Sequence, residues 1–123
     1  MGWFGRKRSV VPAMRIEGEG PSVLVTGLRY RRDDLPRAFG ALSSPSEHTF
    51  SAVLKPQPPN EYNSTPVEVW VNNVHVGWIS DDASPRYWNA LHQVRGLAYC
   101  DCFVQVNKLG DVGKVRLSLP QQL

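Results

Sequence analysis

The sequence predicts a mainly β fold, a small and partly closed barrel of six strands with one or two short helices. Three observations point there. Short runs alternate apolar and polar residues at the two-residue period of a half-buried strand. Ten Gly and ten Pro punctuate the chain, too many for a helix bundle and well suited to turns between short strands. The 123 residues, 41% hydrophobic and 20% charged, supply one core and match an ordinary globular domain rather than a disordered, collagenous or coiled-coil chain.

Residues 1–20 read as a flexible basic arm. They carry Arg6, Lys7 and Arg8, then Pro12 and a Glu-Gly-Glu-Gly run at 17–20, with only Val10, Val11, Met14 and Ile16 to bury, so one short strand is the most order expected of them. Trp3 and Phe4 beside the basic cluster lie in a segment too short for a stable amphipathic helix. Residues 21–123 read as a single barrel domain. Its first strand is expected at 22–30, where Val23, Val25 and Gly27 alternate with Leu24, Thr26 and Leu28. A helical turn follows at 34–39, with Asp34 as its cap and Pro36 in its first turn.

A second strand fits residues 49–55, placing Phe50, Ala52 and Leu54 on one face. Lys55-Pro56-Gln57-Pro58-Pro59-Asn60 then ends it, because proline offers no ladder donor, and a rigid exposed loop must follow. Residues 67–72 and 74–79 form the clearest hairpin. Val67, Val69 and Val71 project one way, Glu68 and Trp70 the other, and Asn72-Asn73 supply turn residues that tolerate positive φ. A helix opens at Ser84-Pro85, cap followed by first-turn proline, carries Tyr87, Trp88, Leu91 and Val94 on one stripe, and ends at Gly96. Strands at 97–107 and 113–119 flank a Gly110-Asp111 turn. Short strands, Gly- and Pro-rich turns and a connecting helix suit a barrel of the OB-like or SH3-like type.

Charge narrows the function classes. The net charge is only +3, but residues 1–40 hold Arg6, Lys7, Arg8, Arg15, Arg29, Arg31, Arg32 and Arg37 against Glu17, Glu19, Asp33 and Asp34. That asymmetry points to a polyanionic partner. No apolar run approaches a membrane span and the start lacks the apolar stretch of a secretory signal, so the expectation is a cytoplasmic protein in a reducing compartment, without a membrane partner. Cys100 and Cys102, two apart on one strand, share a face with Ala98 and Val104 and read as buried free thiols. His48, His75 and His92 stand on separate elements, so no metal site and no cofactor are expected. The nucleophile-elbow, zinc-protease and phosphate-loop motifs do not occur, and Asp33-Asp34 and Asp81-Asp82 fall where helix starts favour acids, so the chain is read as non-enzymatic.

One constellation suits single-stranded nucleic acid. Arg29, Tyr30, Arg31 and Arg32 at the end of the first strand, Tyr62 in the proline-rich loop and Trp78 at the end of the hairpin combine guanidiniums for phosphates with rings on which unpaired bases stack. The same residues serve equally well as packing, with Tyr62 against the prolines and Trp78 in the barrel mouth. A resemblance weighs on this choice. Leu54-Lys55-Pro56-Gln57-Pro58-Pro59-Asn60-Glu61-Tyr62-Asn63, then Val67-Glu68-Val69-Trp70-Val71, then His75-Val76-Gly77-Trp78-Ile79-Ser80 resembles the HIRAN domain family, and Val25-Thr26-Gly27-Leu28-Arg29-Tyr30 looks like that family's first strand.

The resemblance runs through residues 22–119 in order and is strongest over 52–80. It implies a barrel of the oligonucleotide-binding kind that grips the end of a single DNA strand and recognises a free 3′-hydroxyl. On that reading Arg29 and Tyr30 flank the terminal nucleotides, Tyr62 stacks on a base and Trp78 occupies a wall of the groove. Asn63 stands where the family has an Asp that accepts a hydrogen bond from the terminal hydroxyl; an amide accepts more weakly and excludes a 3′-phosphate less firmly. Glu61 replaces a usual proline, and Pro66 stands near a small residue. Many such domains are fused to ATPases or nucleases, so the expected partners are single-stranded DNA or DNA ends and a protein carrying helicase or nuclease activity. The alternative is a protein-interaction barrel that keeps the fold without end recognition.

Overall fold

Alternating valines on both sides of Asn72-Asn73 build the hairpin around which the sheet is arranged. The computed structural model describes residues 13–42, 46–94 and 96–121. Its elements in chain order are β1 (Ala13–Arg15), β2 (Val23–Thr26), a 3-10 segment (Leu28–Asp34), α1 (Leu35–Phe39), β3 (Ser46–Pro56), β4 (Val67–Val71), β5 (Val74–Ile79), α2 (Ser84–His92), β6 (Leu97–Val106) and β7 (Val112–Leu117). At the hairpin turn Asn72 and Asn73 have φ of 51° and 63°, the paired left-handed geometry of a two-residue loop whose twist matches the flanking strands.

The strand order is β1-β6-β3-β4-β5-β2-β7, and β7 pairs back onto β6. Six antiparallel strands therefore close on themselves, where the sequence suggested only partial closure. β1 adds to β6 in parallel, outside the ring. Inward positions repeat every second residue: Val23 and Val25 on β2, Ala52 and Leu54 on β3, Val67, Val69 and Val71 on β4, then Cys100, Cys102 and Val104 on β6. Closure leaves no free edge among the six. α2 lies across β3 and β4, with Tyr87 and Leu91 buried. Two ring groups of the helix are hydrogen-bonded as well, since Trp88 Nε1 donates to the Gln57 carbonyl at 2.9 Å and the Tyr87 hydroxyl to the Pro120 carbonyl at 2.6 Å.

Several local expectations are corrected. The one short strand allowed to the N-terminal arm is β1, paired with β6, and the chain beside it is held rather than flexible: Ile16 is buried, and Arg15 bridges Glu17 at 2.6 Å and Asp101 at 3.0 Å. The arm's Trp3, Phe4, Arg6, Lys7 and Arg8 lie outside the described residues. The first strand stops at Thr26 rather than running to residue 30, because Gly27 turns the chain at φ 77°. Asp34 occupies the cap position of α1 but makes no cap hydrogen bond, its carboxylate being held by arginines. Ser84 is the first residue of α2 rather than its cap, which is Ala83, and its hydroxyl meets Thr65 Oγ1 at 2.9 Å.

Candidate nucleic-acid interface

Gly27 decides where the basic cluster goes. With φ of 77° it occupies the left-handed region, and a Cβ there would stand 2.5 Å from the Trp78 ring, so glycine is required twice over. The chain then enters the 3-10 segment, which lies against β5 instead of extending β2. Arg29, Tyr30, Arg31 and Arg32 are therefore on a short helical segment over the barrel wall, not at a strand end.

The four residues do different things. Arg31 is structural: Nε donates to the His75 carbonyl at 3.1 Å and Nη2 pairs with Asp34 at 2.8 Å. Asp34 also receives Arg37 at 2.8 Å. That hydrogen bond, then the charges of Arg31, Arg37 and His75, hold the Asp34 carboxyl below its usual range. Arg29 and Arg32 are exposed and bind no carboxylate among the described residues. Arg29 Nη2 donates to the Tyr30 hydroxyl at 2.9 Å with its guanidinium 4.9 Å from the ring centre, and Tyr30 itself is 68% exposed.

On the outer face of β4 and β5 sits a stack that sequence reasoning did not assemble. The Lys55 ammonium lies 3.8 Å from the Trp70 ring centre, the His75 ring stacks on Trp70 at 5.4 Å, and Trp78 meets His75 edge-on at 4.6 Å. A register shift between Val69 and Trp70 re-aims the strand so that Trp70, His75 and Trp78 share this face. The available signal was the hairpin about Asn72-Asn73, with Glu68 and Trp70 on one face; its register sets Trp70 opposite His75 and Glu68 opposite Trp78. His75 is buried at 9% exposure, and its Nε2–H donates to the Gly77 carbonyl at 3.0 Å. Desolvation is the main cause of its lowered pKa, with Glu68 opposing and Arg31 assisting. Trp78 is thus half-buried on the outer wall, not plugging the barrel mouth.

Tyr62 is 88% exposed and does not pack on the prolines. Its loop is shaped by Asn60, whose Oδ1 accepts the backbone N–H of Tyr62 at 2.8 Å and of Asn63 at 2.9 Å. The Asn63 side chain is occupied: Oδ1 accepts from the Thr65 backbone at 2.8 Å and its hydroxyl at 3.4 Å, while Nδ2 donates to Asp81 Oδ1 at 3.3 Å. Asp81, just beyond β5, faces this loop and is not in the first turn of α2, where the sequence predicts a helix-start acid.

The seven residues singled out in the sequence do not line one cavity. Arg29, Tyr30, Arg31 and Arg32 line a shallow cleft with Asp33 and Asp34, and Arg29 and Arg32 also border a deeper one toward the β6–β7 turn. Asn63 reaches Asp81 just beyond the Ile79 end of β5, Arg31 reaches the His75 carbonyl near its other end, and Leu28 lies by Gly77 between them. Cys100 and Cys102 are free, buried, and pushed up to about 12 by desolvation. Among the described residues no three His, Cys, Asp or Glu side chains cluster, and no helix is long and apolar enough to cross a membrane. Comparisons of the chain with protein-family models, with curated proteins and with solved structures give no match.

Proposed function

We propose that this chain is a non-enzymatic module that binds single-stranded nucleic acid, DNA in the sense of the HIRAN resemblance, along the outer face of β5. The observation that carries the reading is the exposed Arg29–Tyr30 pair with Arg32 beside it. A guanidinium poised over a phenol meets both constant features of a strand, phosphate charge and flat base faces. Trp78 lies on the same wall against Gly27, where the 3-10 segment begins, and Tyr62 offers a second open ring. The resemblance puts the acceptor of a terminal hydroxyl, and with it the 3′ end, at the Asn60–Asn63 loop. Because Asn63 Oδ1 already accepts from Thr65, the acceptor for a terminal hydroxyl is the neighbouring Asp81 carboxylate, which accepts more strongly than an amide and repels a 3′-phosphate.

Fluorescence anisotropy with labelled 3′-hydroxyl and 3′-phosphate single strands and a blunt duplex tests this. Single strands are expected to bind more tightly than duplex, with affinity falling steeply as salt rises and with the 3′-hydroxyl strand preferred. Asp81→Asn is expected to erase that preference while leaving strand binding in place. If none of the three oligonucleotides binds at low salt, the reading fails and the protein-interaction alternative replaces it.

A further inference from the structure

Between α1 and the β6–β7 turn the packing leaves a cleft of about 580 Å³. Leu28, Leu35, Phe39 and Val112 give it an apolar side, the backbone at Gly40, Gly110 and Gly113 a polar one, and Arg29 and Arg32 stand at its border. The charge at that border is directional. Arg31 and Arg37 are both engaged by Asp34, whereas Arg29 and Arg32 meet no carboxylate among the described residues. Asp111, on the opposite side, repels a second anion and so confines acidic groups to the arginine side.

A nucleobase suits this cleft poorly. Among the lining side chains only Arg29, Arg32 and Asp111 carry hydrogen-bonding groups, so a base edge would find few side-chain partners to read it. The Phe39 ring is buried and already packs on Phe50 at 5.1 Å, leaving no open ring face for stacking. Hydrocarbon flanked by carboxylate meets none of these objections. We propose that the cleft docks an acidic segment of a partner protein, with one aromatic or aliphatic side chain filling the apolar space and flanking Asp or Glu carboxylates meeting Arg29 and Arg32. The site shares with the nucleic-acid face only those two arginines, so an acidic partner and a strand compete for them.

The test uses the full chain and a fluorescein-labelled peptide of sequence DEFLDE at low salt, with DESSDE and QNFLNQ as controls that remove the apolar anchor or the charge. Both controls are expected to bind at least tenfold more weakly, and Arg32→Glu to weaken DEFLDE by a similar factor. Methyl signals of Leu28, Leu35 and Val112 are expected to shift on adding DEFLDE. Equal binding of DESSDE, no binding of any peptide, or shifts confined to methyls elsewhere would each overturn the proposal. So would an oligothymidine that moves the same three methyls, since that assigns the cleft to a strand. Failure of every oligonucleotide to bind, with DEFLDE still binding, removes the strand reading and leaves this one intact.

Discussion

Arg29, Arg31 and Arg32 are near neighbours in sequence, yet only Arg31 is tied into the fold. Its guanidinium joins the His75 carbonyl to Asp34, so Arg31→Ala is expected to lower stability by about 1 kcal/mol, the size of a lost hydrogen bond to a charged donor at a partly exposed site. Arg29→Ala and Arg32→Ala are expected to leave the melting temperature unchanged and each to weaken an oligonucleotide about tenfold, the loss of one charged contact. Thermal melts beside anisotropy separate the two classes; a destabilised Arg29→Ala would contradict the assignment. His75 adds a pH dependence. Its pKa is lowered in the folded barrel chiefly by desolvation, against an unfolded value of 6.5, so the unfolded chain binds the proton first. The His75 contribution is complete above pH 6.5 and is lost as pH falls through that value toward the lowered one. Glu68 and Asp34, which face the ring, oppose the loss and Arg31 adds to it. Asp34, whose own pKa is lowered, keeps its contribution until pH falls into the carboxylate range. Melting temperature is therefore expected to decline between pH 7 and 5 in the native chain and to decline less in His75→Phe. Equal slopes would exclude His75 as the cause.

Elements were legible where their causes are local. The β4–β5 hairpin needs only alternating valines and two asparagines that accept positive φ, and all of these lie within residues 67–79. The end of β2 is set by Gly27, whose φ of 77° turns the chain, and the ring that makes glycine obligatory there, Trp78, lies far away in sequence. Asp34 and Ser84 likewise carry cap chemistry in sequence, but tertiary partners claim their side chains, the arginines for one and Thr65 for the other. The Gly27 position is testable as an element boundary. Gly27→Ala puts an L side chain at φ 77° and a methyl 2.5 Å from the Trp78 ring, for a combined cost of about 2 kcal/mol or more. The variant is expected to melt several degrees lower and to show altered tryptophan fluorescence, since the relief available is movement of Trp78. A melting temperature within a degree of the native chain would mean that the 3-10 segment is not locked against β5.

At the scale of the whole molecule, the six-strand count and the inward valine and cysteine faces follow from period-two patterning, whereas closure does not. β7 must meet both β2 and β6, through Val23–Leu117 and Cys102–Leu117 pairings, and sequence alternation is the same in an open and a closed sheet. The candidate site was legible in residue type but not in layout, because the wall carries Arg31 to the His75 carbonyl and Asn63 to Asp81, past opposite ends of β5. Closure has a chemical consequence at the two thiols. β6 is bonded to β3 along residues 98–106 and to β7 along residues 102–106, and Cys100 and Cys102 both have 0% exposure and thiols pushed up to about 12 by desolvation. A thiolate attacks a disulfide reagent and these groups are neither ionised nor reachable, so reaction requires the barrel to open. At pH 8 without denaturant, both thiols are expected to react with an aromatic disulfide reagent in one shared phase. That phase should be about a thousandfold or more slower than in the unfolded chain, as a stability of at least about 5 kcal/mol dictates. A fast phase confined to one thiol would mean that β7 peels from β6 on its own, and rapid reaction of both would show that the ring is not closed in solution.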